Sequence, residues 1–169
     1  MGQYDSSSDE SVAGRSTYPD VPEEVLESWQ HILDEMTARM RVPVGLVMRI
    51  DGRDIEIASV SERQLPHHPV GSREVLAKSG LYCERVLERR EPLAVSDAAE
   101  DLDFADNPSL RLHGLRSYLG YPIRWPDGAL FGTICVMDSQ ARHYTGDERD
   151  VMTLLRDLIE ANLRSFCAC

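Results

Sequence analysis

The sequence predicts an α+β fold in which long terminal helices cover one face of a mostly antiparallel sheet. Three observations predict it. Amphipathic helical patterns lie near both ends of the chain, at about 22–41 and 146–166, and two pairs of apolar segments are each joined by a turn containing Asp-Gly. Third, no strand runs through a glycine-rich turn into a helix, which argues against a doubly wound parallel sheet.

The first half begins with a helix and a hairpin. A helix is predicted over about 22–41, because apolar residues recur at helical spacing between Pro22 and Pro43. Residues 44–50 and 55–60 are predicted strands joined by Asp51-Gly52, a hairpin signature. Residues 62–72 contain two prolines and a glycine and are predicted to form a loop.

The second half alternates in the same way and brings the predicted strand count to five. The predicted elements are a helix at about 79–90, a strand at 92–97, a polar connection at 98–114 with one or two short helical turns, strands at 117–124 and 129–137, and a helix at about 146–166. The last two strands flank Trp125-Pro126-Asp127-Gly128, which favours a turn. Thr145 followed by Glu148 resembles a capping box at the start of the last helix.

Length and composition fit one globular domain. The chain has 169 residues, of which 42% are apolar and 28% charged, the balance of a folded protein. Residues 1–20 are rich in serine and acidic residues and are predicted to be a disordered leader. The folded domain is expected at 21–166, followed by a frayed end at 167–169.

The charge of the chain excludes several partners. Eighteen basic residues against 29 acidic ones give a net charge of −11, unlike proteins that bind nucleic acid or anionic membranes. The longest apolar run, 129–137, is far shorter than the roughly 18 residues of a membrane span. The polar, acidic N-terminus does not resemble a secretory signal. We therefore expect a cytoplasmic protein with reduced thiols.

Four segments resemble GAF domains, in the versions found in bacterial sensor histidine kinases and cyclic-dinucleotide signalling proteins. They are SGLYCERVL at 79–87, EPLAVSD at 91–97, YLGYPI at 118–123 and FGTICVMD at 131–138. The resemblance spans about 22–166. It implies a PAS-like antiparallel sheet of five to six strands, with the terminal helices on one face and a small-molecule pocket on the other.

The resemblance also implies which residues line that pocket. They are Tyr82, Cys83, Asp97, Phe104, His113, Arg116, Tyr118, Tyr121 and Cys135. Arg116 and His113 in such a pocket would favour an anionic ligand. The alternative is that the aromatic residues of this set simply fill the core. The identity of the ligand and of any cofactor stays open.

Cys83 is the cysteine whose setting invites chemistry. Arg85 or a helix N-terminus would lower the pKa of its thiol, whereas the alternative is a small core residue. Free-methionine-(R)-sulfoxide reductases resemble the chain at this cysteine, but their catalytic thiol precedes the fourth strand, and residues 96–120 contain none. In bilin-attaching relatives the attachment cysteine is commonly followed by histidine, and no cysteine of this chain is. We expect neither an enzyme nor a covalent cofactor.

Metal binding is not expected either. His67-His68 has no acidic or cysteine partner nearby, and the cysteines lack zinc-site spacing. We therefore predict no metal site.

The terminal helices carry more apolar residues than one sheet face needs. These residues are Trp29, Ile32, Met36, Met40, Leu154, Leu158 and Ile159. They predict a homodimer through a helical bundle. The function predicted is a sensory domain that binds a small molecule and relays its state through these helices. The alternatives are a Cys83-dependent reductase and a ligand-free dimerisation module.

Overall fold

The computed structural model describes residues 18–61 and 69–167, and in them four helices flank one six-stranded sheet. In chain order the elements are helix α1 (Glu23–Met40), strands β1 (Val44–Asp51), β2 (Asp54–Val60) and β3 (Arg73–Val75), helix α2 (Tyr82–Arg89), strand β4 (Leu93–Val95), helix α3 (Pro108–His113), strands β5 (Ser117–Arg124) and β6 (Leu130–Asp138), and helix α4 (Gly146–Phe166). A single 3₁₀ turn, Ala98–Glu100, lies between β4 and α3.

The sheet is antiparallel throughout, with strand order β3-β2-β1-β6-β5-β4. This arrangement confirms the predicted α+β fold. The strand missing from the sequence count is β3, which is three residues long and pairs with β2 at the edge of the sheet. All three of its residues are exposed, so the sequence there shows no alternation of apolar and polar residues.

Two separate cores lie on the two faces of the sheet. On one face α1 and α4 pack against the strands, and on the other face α2 and the connection after β4 do so. The alternation of side chains along a strand divides them between the cores. Leu119 on β5 and Val136 on β6 belong to the core under α1 and α4. Their neighbours Tyr118 and Cys135 belong to the core on the opposite face.

Local sequence signals fix the start of α4 and the end of α1 close to where they were predicted. The N–H of Glu148 donates to the Thr145 hydroxyl at 3.2 Å, and the N–H of Thr145 donates to the Glu148 carboxylate at 3.0 Å. This reciprocal pair is the predicted capping box of α4. Helix α1 ends at Met40, and the next residue, Arg41, adopts a left-handed backbone conformation that turns the chain just before Pro43.

Several sequence predictions fall at or beyond the limits of the described residues. Residues 1–17 of the predicted leader, the His67-His68 pair and the last two residues lie outside them. Tyr18 is described, and its ring stacks on Trp125 at 4.5 Å between centroids. No helix in the described part of the chain is long and apolar enough to cross a bilayer.

Candidate functional site

A cavity of about 300 Å³ lies on the face of the sheet opposite α1 and α4. Strands of the sheet form its floor, α2 and α3 form its walls, and the edge strand β3 borders it. Its lining residues are Leu46, Met48, Ile55, Ile57, Ser72, Arg73, Glu74, Leu81, Tyr82, Cys83, Pro108, Ser109, Leu112, His113, Tyr118, Cys135 and Met137. Apolar, aromatic and sulfur-containing side chains therefore dominate the floor.

The structure brings together part of the predicted site. Among the predicted site residues, Tyr82, Cys83, His113, Tyr118 and Cys135 line the cavity. The others, Asp97, Phe104, Arg116 and Tyr121, do not line it. That the lining residues bind a ligand stays a prediction.

Tyr121 lies on the opposite face of the sheet, among the side chains that pack under the terminal helices. It is three residues from Tyr118 on one strand, so the two side chains point to opposite faces. Its hydroxyl donates to the carbonyl oxygen of Arg149 in α4 at 3.3 Å. Phe104 lies behind the cavity wall, 5.6 Å from the Tyr82 ring between centroids.

Arg116 forms a two-pronged ion pair with Asp97 instead of facing the cavity. Its Nε donates to Oδ1 at 3.0 Å and its Nη2 to Oδ2 at 2.5 Å. The hydrogen bond from Arg116 holds the pKa of Asp97 below its usual range. Arg73 does line the cavity, but its guanidinium is paired with Glu56 at 3.0 Å and with Asp51. Neither guanidinium presents an uncompensated positive charge to a ligand.

Two stacked tyrosines form one end of the cavity, and they are held differently. The rings of Tyr82 and Tyr118 are 4.7 Å apart between centroids, with their planes at 21°. The Tyr82 hydroxyl donates to the carbonyl oxygen of Leu115 at 2.8 Å, which fixes this ring. Burial raises the pKa of both phenols, so both are protonated at neutral pH.

The Tyr118 ring lies flat on the sheet because residue 120 is glycine. A Cβ at Gly120 would come within 2.1 Å of the Tyr118 hydroxyl oxygen. That hydroxyl has Cys135 and Thr133 as neighbours, but among the described residues neither its oxygen nor Thr133 Oγ1 has a partner in hydrogen-bonding geometry. Leaving such a buried group unpaired costs about 1–3 kcal/mol. Sequence reasoning missed Thr133 and Gly120, although the two-residue period places both on the face of Tyr118.

The two cavity cysteines are protonated thiols. Cys83 and Cys135 are both buried and not in a disulfide. Burial raises the pKa of Cys83 to about 12 and raises the pKa of Cys135 further still. The lowering of the Cys83 pKa by Arg85 that a reactive thiol would require does not occur, because this guanidinium lies over the Phe104 ring, 5.3 Å from its centroid. Both thiols thus resemble buried core residues more than nucleophiles.

Titratable side chains do not assemble into a metal centre in the described part of the chain. No cluster of three or more His, Cys, Asp or Glu side chains with the geometry of a metal site occurs there.

The sequence profile of the GAF domain family matches residues 24–163. The chain belongs to the GAF domain family. The match covers both terminal helices, the sheet and the cavity described above. No curated protein matches the chain.

Solved structures of GAF-fold proteins superpose well despite low identity. They include the phycoerythrobilin-bound GAF domain of a cyanobacterial phytochrome, with 17% identity, a TM-score of 0.70, and 85% of this chain and 88% of that chain covered. A GAF domain of a two-component sensor histidine kinase from Bacillus halodurans has 15% identity, a TM-score of 0.62, and coverages of 80% and 93%. A type II free methionine-R-sulfoxide reductase from Thermoplasma acidophilum has 10% identity, a TM-score of 0.66, and coverages of 86% and 96%. At this identity they show the shared fold, which hosts sensory and signalling domains as well as enzymes.

Proposed function

We propose that this GAF domain binds a small molecule in the cavity and relays its presence to α1 and α4, as the sensory part of a signalling protein. The observation that carries the proposal is the cavity itself, which lies on the opposite face of the same strands that carry the terminal helices. Its volume of about 300 Å³ is at the lower end of the range for ligand pockets. The GAF relatives with sensory roles support the same function.

Strand β5 supplies a direct route from the cavity to α4. Tyr118 borders the cavity, and three residues further along the strand Tyr121 donates its hydrogen bond to Arg149 of α4. The N–H of Arg124, at the end of β5, donates to the Glu160 carboxylate of α4 at 3.2 Å. A ligand that binds more tightly when β5 is in one position therefore also favours one position of α4. The size of this shift is set by the difference in ligand affinity between the two conformations.

Helix α4 in turn is tied to α1. The Trp29 indole N–H donates to the Asn162 side-chain oxygen at 2.9 Å. Both terminal helices therefore respond together to a displacement of α4.

The proposed domain is a homodimer through the outer face of the terminal helices. Most of the apolar residues that predicted a bundle are buried against the domain's own sheet, including Trp29, Met36 and Ile159. Two that are not are Leu154 and Leu158, which are 68% and 44% exposed and lie one turn apart on α4. Two exposed leucines one turn apart on a long helix favour packing against the same helix of a second copy of the chain.

The reductase alternative has less support. Two of the structural relatives are free methionine-R-sulfoxide reductases, one of them solved with its substrate. A thiol with a pKa near 12, however, is a poor nucleophile at neutral pH. The ligand-free alternative requires side chains to fill the pocket, whereas a cavity of about 300 Å³ is open beside Tyr118.

The proposal is tested by xenon uptake, followed through the methyl NMR signals of the methionines. Met48 and Met137 line the cavity, whereas Met36 and Met152 lie in the other core and report nonspecific effects of pressure. Xenon in the cavity shifts the first pair with a saturating dependence on pressure. If none of the four methionines responds, the cavity is closed to xenon. If all four respond alike, the shifts are nonspecific effects of pressure. Either result contradicts the proposal. Native mass spectrometry of the freshly purified protein adds the mass of any ligand that co-purifies.

A further inference from the structure

The floor of the cavity, which the strands of the sheet form, carries no ionised group. Aliphatic, sulfur and aromatic side chains form the part made by β1, β2, β5 and β6. Tyr118 and Cys135 on these strands, and Cys83 on α2, are neutral at physiological pH, because burial raises the pKa of each. An ion moved into such a site loses its hydration without gaining a counter-charge.

The charged residues that do line the cavity lie at its border. Arg73 and Glu74 belong to the exposed edge strand β3, and the Arg73 guanidinium is already compensated by Asp51 and Glu56. Glu74 is close enough to add to the electrostatic rise in the pKa of Cys83. Along β3 the border of the cavity is therefore neutral to negative, which disfavours an anion at this edge and gives a cation no buried partner there.

Size and shape point to one ring with a short substituent, or two fused rings. A dry apolar cavity of about 150 Å³ accommodates benzene. The cavity here has about twice that volume. The stacked pair of Tyr82 and Tyr118 exposes an aromatic wall to it, and aromatic rings pack favourably against such walls.

One polar group of the wall lacks a partner. The Tyr118 hydroxyl is buried against Gly120, close enough to Cys135 and Thr133 for both to affect its pKa, but no described residue meets it in full hydrogen-bonding geometry. The Tyr118 ring borders the cavity, so a ligand that tilted the ring off Gly120 would bring this hydroxyl to the cavity wall. A ligand oxygen beside Cys135 then supplies the missing hydrogen bond.

From these features we infer that the cavity selects a small uncharged aromatic molecule that bears one hydrogen-bonding oxygen and is anchored by the Tyr118 hydroxyl. The inference rests on the proposed function, because it names the ligand class of the same cavity. It differs from the anionic ligand that the sequence favoured on the basis of Arg116 and His113, since only His113 lines the cavity and Arg116 is paired with Asp97 outside it.

Four phenyl compounds of similar size test the inference: acetophenone, ethylbenzene, benzoate and 1-phenylethylammonium. Their affinities are measured from the methyl shifts of Met48 and Met137, in the wild-type protein and in Tyr118→Phe. We expect acetophenone to bind about fivefold more tightly than ethylbenzene, the effect of one hydrogen bond. Both ions should bind at least about tenfold more weakly than acetophenone. In Tyr118→Phe the affinity for acetophenone should fall to that for ethylbenzene, which itself should not change.

The outcomes separate this inference from the proposed function. Equal binding of the ketone and the hydrocarbon in the wild-type protein, tight binding of either ion, or a preference that survives in Tyr118→Phe overturns the inference. If xenon enters but none of the four probes binds, the inference fails and the proposed function stands. If xenon is excluded as well, both fail. Thermal unfolding of Tyr118→Phe verifies that the variant is folded, and the loss of an unpaired buried hydroxyl should leave it at least as stable as the wild type.

Discussion

The close approach of Tyr118 to Gly120 predicts a large effect of a single methyl group. In Gly120→Ala the added Cβ would lie 2.1 Å from the Tyr118 hydroxyl oxygen and 2.4 Å from Cζ, well inside van der Waals contact. The ring must therefore leave the floor, and the space open to it is the cavity. Overpacking of this kind costs about 1–3 kcal/mol, partly offset by about 0.4–1 kcal/mol because alanine restricts the unfolded chain.

A double-mutant cycle measured by urea unfolding isolates this contact. In a Tyr118→Leu background the ring is gone, so Gly120→Ala should cost nothing or stabilise slightly, giving a coupling energy of about 1–3 kcal/mol. Gly132→Ala is the control, and its cost in free energy of unfolding should be the same in both backgrounds. Its Cβ would meet the backbone carbonyl oxygen of Met48 at 1.8 Å, which no side-chain change relieves. If Gly120→Ala costs the same free energy of unfolding in both backgrounds, the ring does not lie over Gly120, and the reasoning is refuted.

Three further predictions concern the ion pair, the outer helix face and the thiol. The pKa of Asp97 is lower in the folded than in the unfolded chain, so its pair with Arg116 should stabilise the fold above pH about 4 and lose that effect as the pH falls through the folded pKa. In Asp97→Asn the free energy of unfolding should therefore depend less on pH in the acidic range. An unchanged pH dependence in that range would contradict this. Leu154→Glu with Leu158→Glu should give a monomer by analytical ultracentrifugation at unchanged thermal stability, whereas a monomeric wild type would exclude the dimer. Cys83→Ser should leave probe affinity within about threefold and abolish any sulfoxide reductase activity, so activity in the wild type that is lost in the variant would favour the enzyme.

Most of the fold was predictable because its elements carry strong local signals. The periods of α1 and α4, the two Asp-Gly hairpin turns and the Thr145 capping box each depend on residues close together in the chain. Edge strand β3 depends instead on its pairing with β2. Its three residues are all exposed, bury little apolar surface and leave no pattern in the sequence.

The site was less predictable, because its residues come from separate elements and their directions decide their roles. The two-residue period separates Tyr118 from Tyr121, and applying it to β5 alone would have placed Tyr121 under the helices. No such rule reveals that Arg116 reaches Asp97, since the two are brought together by the loops after β4 and before β5. The anionic ligand favoured by the sequence depended on Arg116 together with His113, and of these two residues only His113 lines the cavity.

The difference between the two stacked tyrosines indicates where a ligand signal begins. Tyr82 is held by its hydrogen bond to Leu115 and by its place on α2, whereas the described residues around Tyr118 give its hydroxyl no such bond. Of the two rings, Tyr118 is therefore the one that a ligand displaces at lower cost, and it belongs to the strand bonded to α4 through Tyr121. If this is the route, Tyr121→Phe should leave the affinity for acetophenone unchanged while weakening the effect of the probe on amide hydrogen exchange in α4. Undiminished protection changes in that variant would show that the signal travels by another path.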